Sequence, residues 1–552
     1  MKKILTVILR LFLILLSAFV TAMAFPNPFS EGGLGFLIFF SLIPMYYVID
    51  SSSWKGIWLY GIIYGFVFYL IYNYWLSTFH PLAILIAPTL ESVQYLFLFP
   101  VLKSAHSLFR KRGYIVQSIF HLSYLYLTQQ GFLGYPYGNF SAALYAYPVL
   151  IQSASVFGIW LICLFIMIPQ TLASEALSSG RRLADYKGDA AAIIILHIAN
   201  ALLGTAAFIY YDIKEPESEI RIAAVQHSAD SWEGGYSTYR KNFETLSSLS
   251  LEAMEEEPDM VVWSETAFVP SVAWHTSYPS NPATSLLVKR FVDFGLNLPV
   301  PLVTGNPEGV LEDPSRPAIL EDGTWNRKEY NTVIFFSDGR IMETYRKQHL
   351  VPFTEHFPYQ KQFPKLTALL IANDYNWWES GDEATVFEYG DFRFSTPICF
   401  EDIFGYLSAS FVRNGAEALI NLTNDSWSGS VAAEMQHMQL ASFRAIENRK
   451  PLLRSTNSGI TCLVDPSGRI IDPMEPFTEG WRIYTVPLGK KEGHTFYTEH
   501  PDVLAKLSAI MTPVLLIAGC IHSVHRRRKE REESIYRHYM SLFDAIDDRY
   551  EC

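Results

Sequence analysis

Eight stretches of mostly apolar residues constrain this chain more than anything else in it, lying near 5–24, 34–50, 57–76, 82–102, 115–134, 149–172, 189–211 and 504–523. A bilayer's hydrocarbon core is about 30 Å thick and a helix rises about 1.5 Å per residue, so runs of about 20 residues are read as membrane spans. Lipid offers the backbone no partner, so such runs are expected to be helices packed in a bundle. Composition agrees, since 18% of the 552 residues are charged and 50% are hydrophobic, against about a quarter charged in soluble proteins. Tyr and Trp gather near the ends of the runs, where an amphipathic ring meets both water and lipid. The net charge of −12 argues against a nucleic-acid partner. Each run carries few charges, Arg10 and Glu91 among them. Glu91 is read as facing the bundle interior, with contact to a lipid head group as the sharper alternative.

The connecting loops orient the spans. Lys2 and Lys3, Lys55, Lys103 with Arg110, Lys111 and Arg112, Arg181 with Arg182 and Lys187, and Arg526 to Lys529 fall in every second connection and so on one side, while the loops 25–33, 77–81 and 135–148 hold no Lys or Arg. Basic loops stay in the cytoplasm. Both termini are therefore expected inside, and the long segment 213–500 outside the cytoplasmic membrane, on the periplasmic side. The first run also carries features of a signal peptide, with Thr21-Ala22-Met23-Ala24 at its end, but is read as a retained span.

Segment 213–500 alternates strand and helix patterns. Strands are expected at 220–226, 260–264, 300–304, 332–336, 341–345, 392–398 and 418–421, and helices near 236–256, 284–296, 403–413 and 432–449. Ser337-Asp-Gly-Arg340 and Asp465-Pro-Ser-Gly468 are hairpin turns. Crossover helices combined with hairpins predict an α/β domain with a mixed sheet. The tail 525–552 is charged. The organisation expected is 1–212 as a seven-span bundle, 213–500 as the α/β domain, 501–524 as the eighth span and 525–552 as a cytoplasmic tail.

Five cysteines, Cys163, Cys399, Cys462, Cys520 and Cys552, form no CxxC pair or metal spacing, so neither a disulfide framework nor a metal site is expected. His349, His356 and His437 are read as packing or hydrogen-bonding residues. Three segments carry chemistry: Trp263-Ser-Glu265, Tyr345-Arg-Lys347 running on to Glu355, and Pro397-Ile-Cys399-Phe-Glu401. Cys399 stands between a strand and a helix, where the helix dipole favours thiolate. A glutamate in reach can take a proton, and a lysine ammonium can hold an oxyanion. The three suffice for acyl transfer through a thioester, with no cofactor.

These segments resemble the Glu-Lys-Cys triad of the nitrilase, or carbon–nitrogen hydrolase, superfamily. Tyr345 to Glu355, Cys399-Phe-Glu401, Asn424-Asp-Ser-Trp427, His437-Met-Gln439, Arg444 to Glu447 and Leu453 to Gly459 are similar to the apolipoprotein N-acyltransferase family within it. The resemblance covers the chain to about residue 524 and includes the eight-span layout. It implies an eight-helix membrane bundle joined to a nitrilase-like αββα sandwich. It also implies transfer of a fatty acyl chain from a phospholipid to the N-terminal amine of a diacylglyceryl-modified lipoprotein, by a ping-pong course at the inner membrane, as the last step of lipoprotein maturation. Cys399 would be the nucleophile, Glu265 the general base and Lys347 the oxyanion stabiliser, with Glu355, Glu401 and Phe400 in support. Phe400 stands where the family often has Tyr, Thr354 where it has Gly, and Ser428 where Phe is common. Trp232, Trp263, Asn424 and Trp427 are candidate substrate-contact residues. The apolar segment 357–378, with Leu366, Leu369, Leu370, Trp377 and Trp378, is a candidate lid against water. Two other readings stay open on the residues alone: a membrane-anchored amidase using water as acceptor, and a non-catalytic lipid-binding or transport scaffold.

Overall fold

The computed structural model describes residues 2–79, 82–109, 112–321, 323–352, 354–371, 377–489 and 493–550, with backbone alone over 541–550. Among the described residues five helices have the length and composition to cross a membrane: Lys2–Met23, Ala83–Phe109, Ile159–Ser178, Leu183–Ile213 and Val503–Met540. The other expected spans fall on shorter pieces. Run 34–50 becomes a 3-10 turn, Gly35–Phe39, and a helix, Ile43–Ser51, because Pro44 can only start a helix. Runs 57–76 and 115–134 are helical over Ile57–Tyr72 and Gly113–Leu127. Run 149–172 breaks at Gly158, whose φ is +64° and whose Cβ would stand 2.4 Å from the Tyr497 ring. Only glycine fits there. The last helix continues past the apolar run to Tyr550. Of the charged loop residues, Arg110 and Lys111 lie outside those described, as does Cys552.

Twelve strands follow the bundle: β1 (Ser218–Gln226), β2 (Met260–Val262), β3 (Leu302–Leu311), β4 (Arg327–Ser337), β5 (Arg340–Arg346), β6 (Phe387–Tyr389), β7 (Phe392–Ser395), β8 (Ala418–Thr423), β9 (Leu452–Thr456), β10 (Cys462–Val464), β11 (Ile470–Ile471) and β12 (Gly480–Leu488). They form two six-stranded sheets, β12-β1-β2-β3-β4-β5 and β11-β10-β9-β8-β7-β6. β1, β2 and β3 are mutually parallel, as are β7, β8 and β9, and the outer pairs are antiparallel. Alternate residues of the central strands serve the two faces. Ile222, Ala224 and Val262 join Ile420, Leu422 and Leu453 between the sheets, while Ala223, Val225 and Val261 pack outward on the helices Tyr236–Ala253 and Pro282–Asn297. Burial on both faces is why these strands read as unbroken apolar runs. The helix Val431–Asn448 covers the second sheet and lies against the bundle, so its polar residues are buried as well. Gln436 shows how they are satisfied: it accepts from Trp75 Nε1 at 3.0 Å and donates to the carbonyls of Pro26 and Tyr72 at 2.9 Å.

Candidate active site

Three chain reversals at neighbouring strand ends build the site. β2 gives way to Trp263-Ser-Glu265 and a turn in which Thr266 has φ +45°. Gly305 of β3 lies under that turn, and a Cβ there would sit 2.3 Å from the Thr266 nitrogen. β5 ends one residue before Lys347, whose N–H donates to the Asn331 carbonyl of β4 at 2.8 Å. Beyond β7, Ile398 bridges Leu422 of β8, and Cys399 then opens a 3-10 helix at φ +48°. A cysteine in this left-handed region is strained and needs outside support. Asn421 donates to the Cys399 carbonyl at 3.2 Å. The Glu401 carboxylate accepts from the Ile398, Gln348 and His349 backbone at 2.7, 2.7 and 3.0 Å, and from the Tyr345 hydroxyl at 2.8 Å. Glu401 therefore ties the segment bearing Cys399 to the segment bearing Lys347.

The Lys347 ammonium is fully buried, 3.3 Å from Glu265 Oε1 and 2.8 Å from Glu355 Oε1. Glu265 also accepts from Asn331 Nδ2 at 2.7 Å and from the Asn424 backbone at 2.9 Å. Burial raises the Glu265 carboxyl above its ordinary range, with Lys347 opposing the rise. Burial works against the Lys347 charge, but Glu265 and Glu355 overcome it and hold the ammonium well above its usual range. Burial, and then Glu265, push the Cys399 thiol well up, with Lys347 as the counterweight. This corrects the expectation of a helix-activated thiolate. Neighbouring carboxylates and desolvation outweigh one short 3-10 turn, so the resting group is a thiol.

A cavity of about 530 Å³ takes in Cys399, Glu265, Glu355, Phe400, Asn424, Trp427 and Trp232 from the α/β domain. Its facing wall comes from the bundle and its loops: Asn73, Trp75, Ala87, Glu91, Tyr135 and Tyr137. Phe400 stacks on Tyr137 at 6.4 Å, and Trp427 meets Trp75 edge-on at 5.5 Å. Lys347 and Glu401 stand behind the wall rather than in it. Trp263 is not at the site. Its ring is fully buried on the outer face of the sheet, donating to Ser250 and stacked on Phe294, because strand alternation puts it on the same face as Val261, whereas Glu265 lies past the strand end in the turn. Of the candidate lid, Trp378 lines the cavity and Trp377 packs on Phe357. Residues 372–376 of that segment lie outside those described.

The histidines hydrogen-bond as expected. His349 meets the Tyr406 hydroxyl at 3.0 Å and His356 the Trp378 carbonyl at 3.2 Å. His437 lies between Asp425 at 2.9 Å and Asp402 at 3.0 Å, with Arg454 paired to Asp402. Among the described residues, no group of three or more His, Cys, Asp or Glu is arranged to hold a metal. Sequence reasoning missed Asn331. Its signal was not local, because the register set at the Asp-Gly turn would place Arg346 opposite Asn331, and only a bulge at Phe335 and Phe336 shifts the pairing so that Lys347 meets it. It also missed the bundle wall, for which tertiary packing is the only source.

Comparison with known proteins adds descent to geometry. Residues 221–492 match the carbon-nitrogen hydrolase family, and residues 17–172 match the apolipoprotein N-acyltransferase N-terminal domain. The chain is 37% identical to apolipoprotein N-acyltransferase 1 of Treponema denticola, over 95% of this chain and 98% of that one. It is 33% identical to apolipoprotein N-acyltransferase 1 of Treponema pallidum, over 94% and 96%. Among solved structures, Saccharomyces cerevisiae Nit3, of the nitrilase superfamily, aligns with 53% of this chain and 94% of its own, at 21% identity and a TM-score of 0.35.

Proposed function

The chain belongs to the apolipoprotein N-acyltransferase family, and on that premise we propose that it moves a fatty acyl chain from a phospholipid to the α-amine of a lipoprotein's diacylglyceryl-cysteine through a thioester on Cys399. The carrying observation is the cavity itself, with Cys399, Glu265 and Glu355 on one wall and bundle residues on the other. Both substrates live in a leaflet, and a thiol facing a membrane helix is where such chains can arrive.

In the first half-reaction, Glu265 takes the thiol proton as Sγ attacks the donor ester carbonyl. Lys347 stabilises the oxyanion. The carbon–oxygen bond then breaks, and the proton on Glu265 passes to the departing lysophospholipid. In the second, the neutral α-amine, with a reference pKa near 8, attacks the thioester, Glu265 takes its proton, and the Cys399 thiolate leaves to be reprotonated. A thiol that is protonated at rest makes Glu265 indispensable to the first step. Glu355 holds Lys347, Glu401 positions both loops, and Trp232, Asn424 and Trp427 contact substrate. The four-part division at 212, 500 and 524, eight crossings, cytoplasmic termini and a periplasmic domain at the inner membrane complete the reading. The alternation of Lys and Arg among the loops supports it.

Intact-mass analysis after exposure to phospholipid tests the reading. The wild type should gain one long acyl chain and Cys399→Ala none. An unmodified wild type, or equal modification of the variant, would refute the thioester.

A further inference from the structure

Glu91 lies in the helix Ala83–Phe109 and lines the same cavity as Cys399, although the residues around it on that helix, Ile86, Leu90 and Val93, are exposed apolar side chains suited to lipid. Its Oε2 accepts from Gln94 Nε2 at 2.6 Å, and Gln94 Oε1 in turn accepts from the Tyr124 hydroxyl at 3.4 Å. No ion pair holds Glu91 among the described residues, whereas the other cavity carboxylates are paired: Glu265 and Glu355 with Lys347, and Asp425 with His437 and Arg454. Glu91 is the carboxylate of this cavity left over for a ligand. A carboxylate kept at membrane depth is costly and is expected to serve a cationic group. A path of rings, Tyr135 on Tyr137 at 5.1 Å and Tyr137 on Phe400, spans the cavity toward Cys399, so a ligand at Glu91 shares the space in which the thiol reacts.

We propose that Glu91 is an ammonium subsite of the reaction cavity, receiving the charged amine of a substrate in the same enclosed space as Cys399. The inference rests on the acyl transfer proposed above. Two substrates carry that chemistry, a donor lipid with a primary ammonium head group and the α-ammonium of the acceptor before it loses its proton. In either case the carboxylate and ammonium neutralise each other away from water, and Gln94 keeps the carboxylate oriented by one hydrogen bond.

The ping-pong course lets the two sources be read apart. Purified wild type and Glu91→Gln would each be mixed with detergent-dispersed phosphatidylethanolamine or phosphatidylglycerol of identical chains, and thioester formation on Cys399 followed by intact mass. The acylated enzymes would then be given a synthetic diacylglyceryl-cysteinyl peptide. The expected result is a loss of about tenfold, the scale of one charged hydrogen bond, confined to one ammonium-bearing step. If it falls on the phosphatidylethanolamine arm alone, the head group is the ligand. If it falls on transfer to the peptide alone, the α-ammonium is. Unchanged rates throughout overturn the proposal, as does an equal loss with both donors and in transfer, since that reports a general defect in the variant. Wild type that forms no thioester with either lipid would overturn the function reading itself.

Discussion

Glu265 receives three donors: an amide, an ammonium and a backbone N–H. Each one aims the carboxylate to which the proposed course assigns the proton transfers. Asn331 is the contact with no charge to confuse the measurement. Asn331→Ala should leave the protein folded and lower the single-turnover rate of Cys399 acylation by about ten- to a hundredfold, the value of one hydrogen bond to a charged group. An unchanged rate would remove Asn331 from the site. Glu401 has a different part. It is buried, burial pushes its carboxyl up to about 7, and backbone donors hold it. Its loss should appear as misplacement of Cys399 and Lys347 together.

At the scale of elements, tight approach and a buried charge network hold the site in shape. Gly305 admits the Glu265 turn to within contact of β3. Gly305→Ala should displace that turn and cost activity about a hundredfold, as misplacement of about 1 Å can; acylation kinetics beside a circular-dichroism check of folding would decide. The helix Val431–Asn448 brings His437 between Asp402 and Asp425. Burial opposes its charge, yet the two aspartates raise it to about 9 from 6.5. A raised histidine stabilises the fold fully below pH 6.5, and the contribution is lost as pH rises through about 9. The shift corresponds to about 3 kcal/mol. Thermal melting in detergent should therefore fall between pH 7 and 9.5, and His437→Gln should flatten that slope. A variant with the wild-type slope would exclude His437 as its origin.

At the scale of the molecule, the reactive thiol lies at a seam. Trp75, Asn73 and Tyr137 come from the bundle's loops, and Cys399 and Glu265 from the sandwich, so neither part alone encloses the cavity. On the proposed course water must be kept from a thioester, and a seam roofed by aromatic rings would do this by occupying space. Among the described residues of the proposed lid, Trp378 reaches the cavity. Trp378→Ala should raise hydrolysis of the acyl-enzyme about tenfold while slowing transfer to the peptide. Hydrolysis at the wild-type rate would mean that other residues exclude water. Gln436, carried by the α/β domain and bonded to three bundle residues, keeps the two parts in register.

Local patterns carried a great deal. Apolar length announced membrane helices, two-faced apolar runs announced the central strands, and an Asp-Gly turn set the hairpin that ends at Lys347. The residue types at three strand ends named a Glu-Lys-Cys chemistry, and these side chains do meet around one cavity. What the sequence could not settle depends on groups far apart in the chain. Trp263 looked like a site residue until the sheet's alternation turned it into the core. The thiol's protonation reflects burial and above all the charge of Glu265, more than a hundred residues away, which no local dipole argument includes. Helix breaks at Gly158 and Asn73 come from packing against the domain. The bundle wall, with Glu91 in it, exists only because folding sets a membrane helix against the reactive cysteine, and that proximity is a property of packed surfaces rather than of any stretch of sequence.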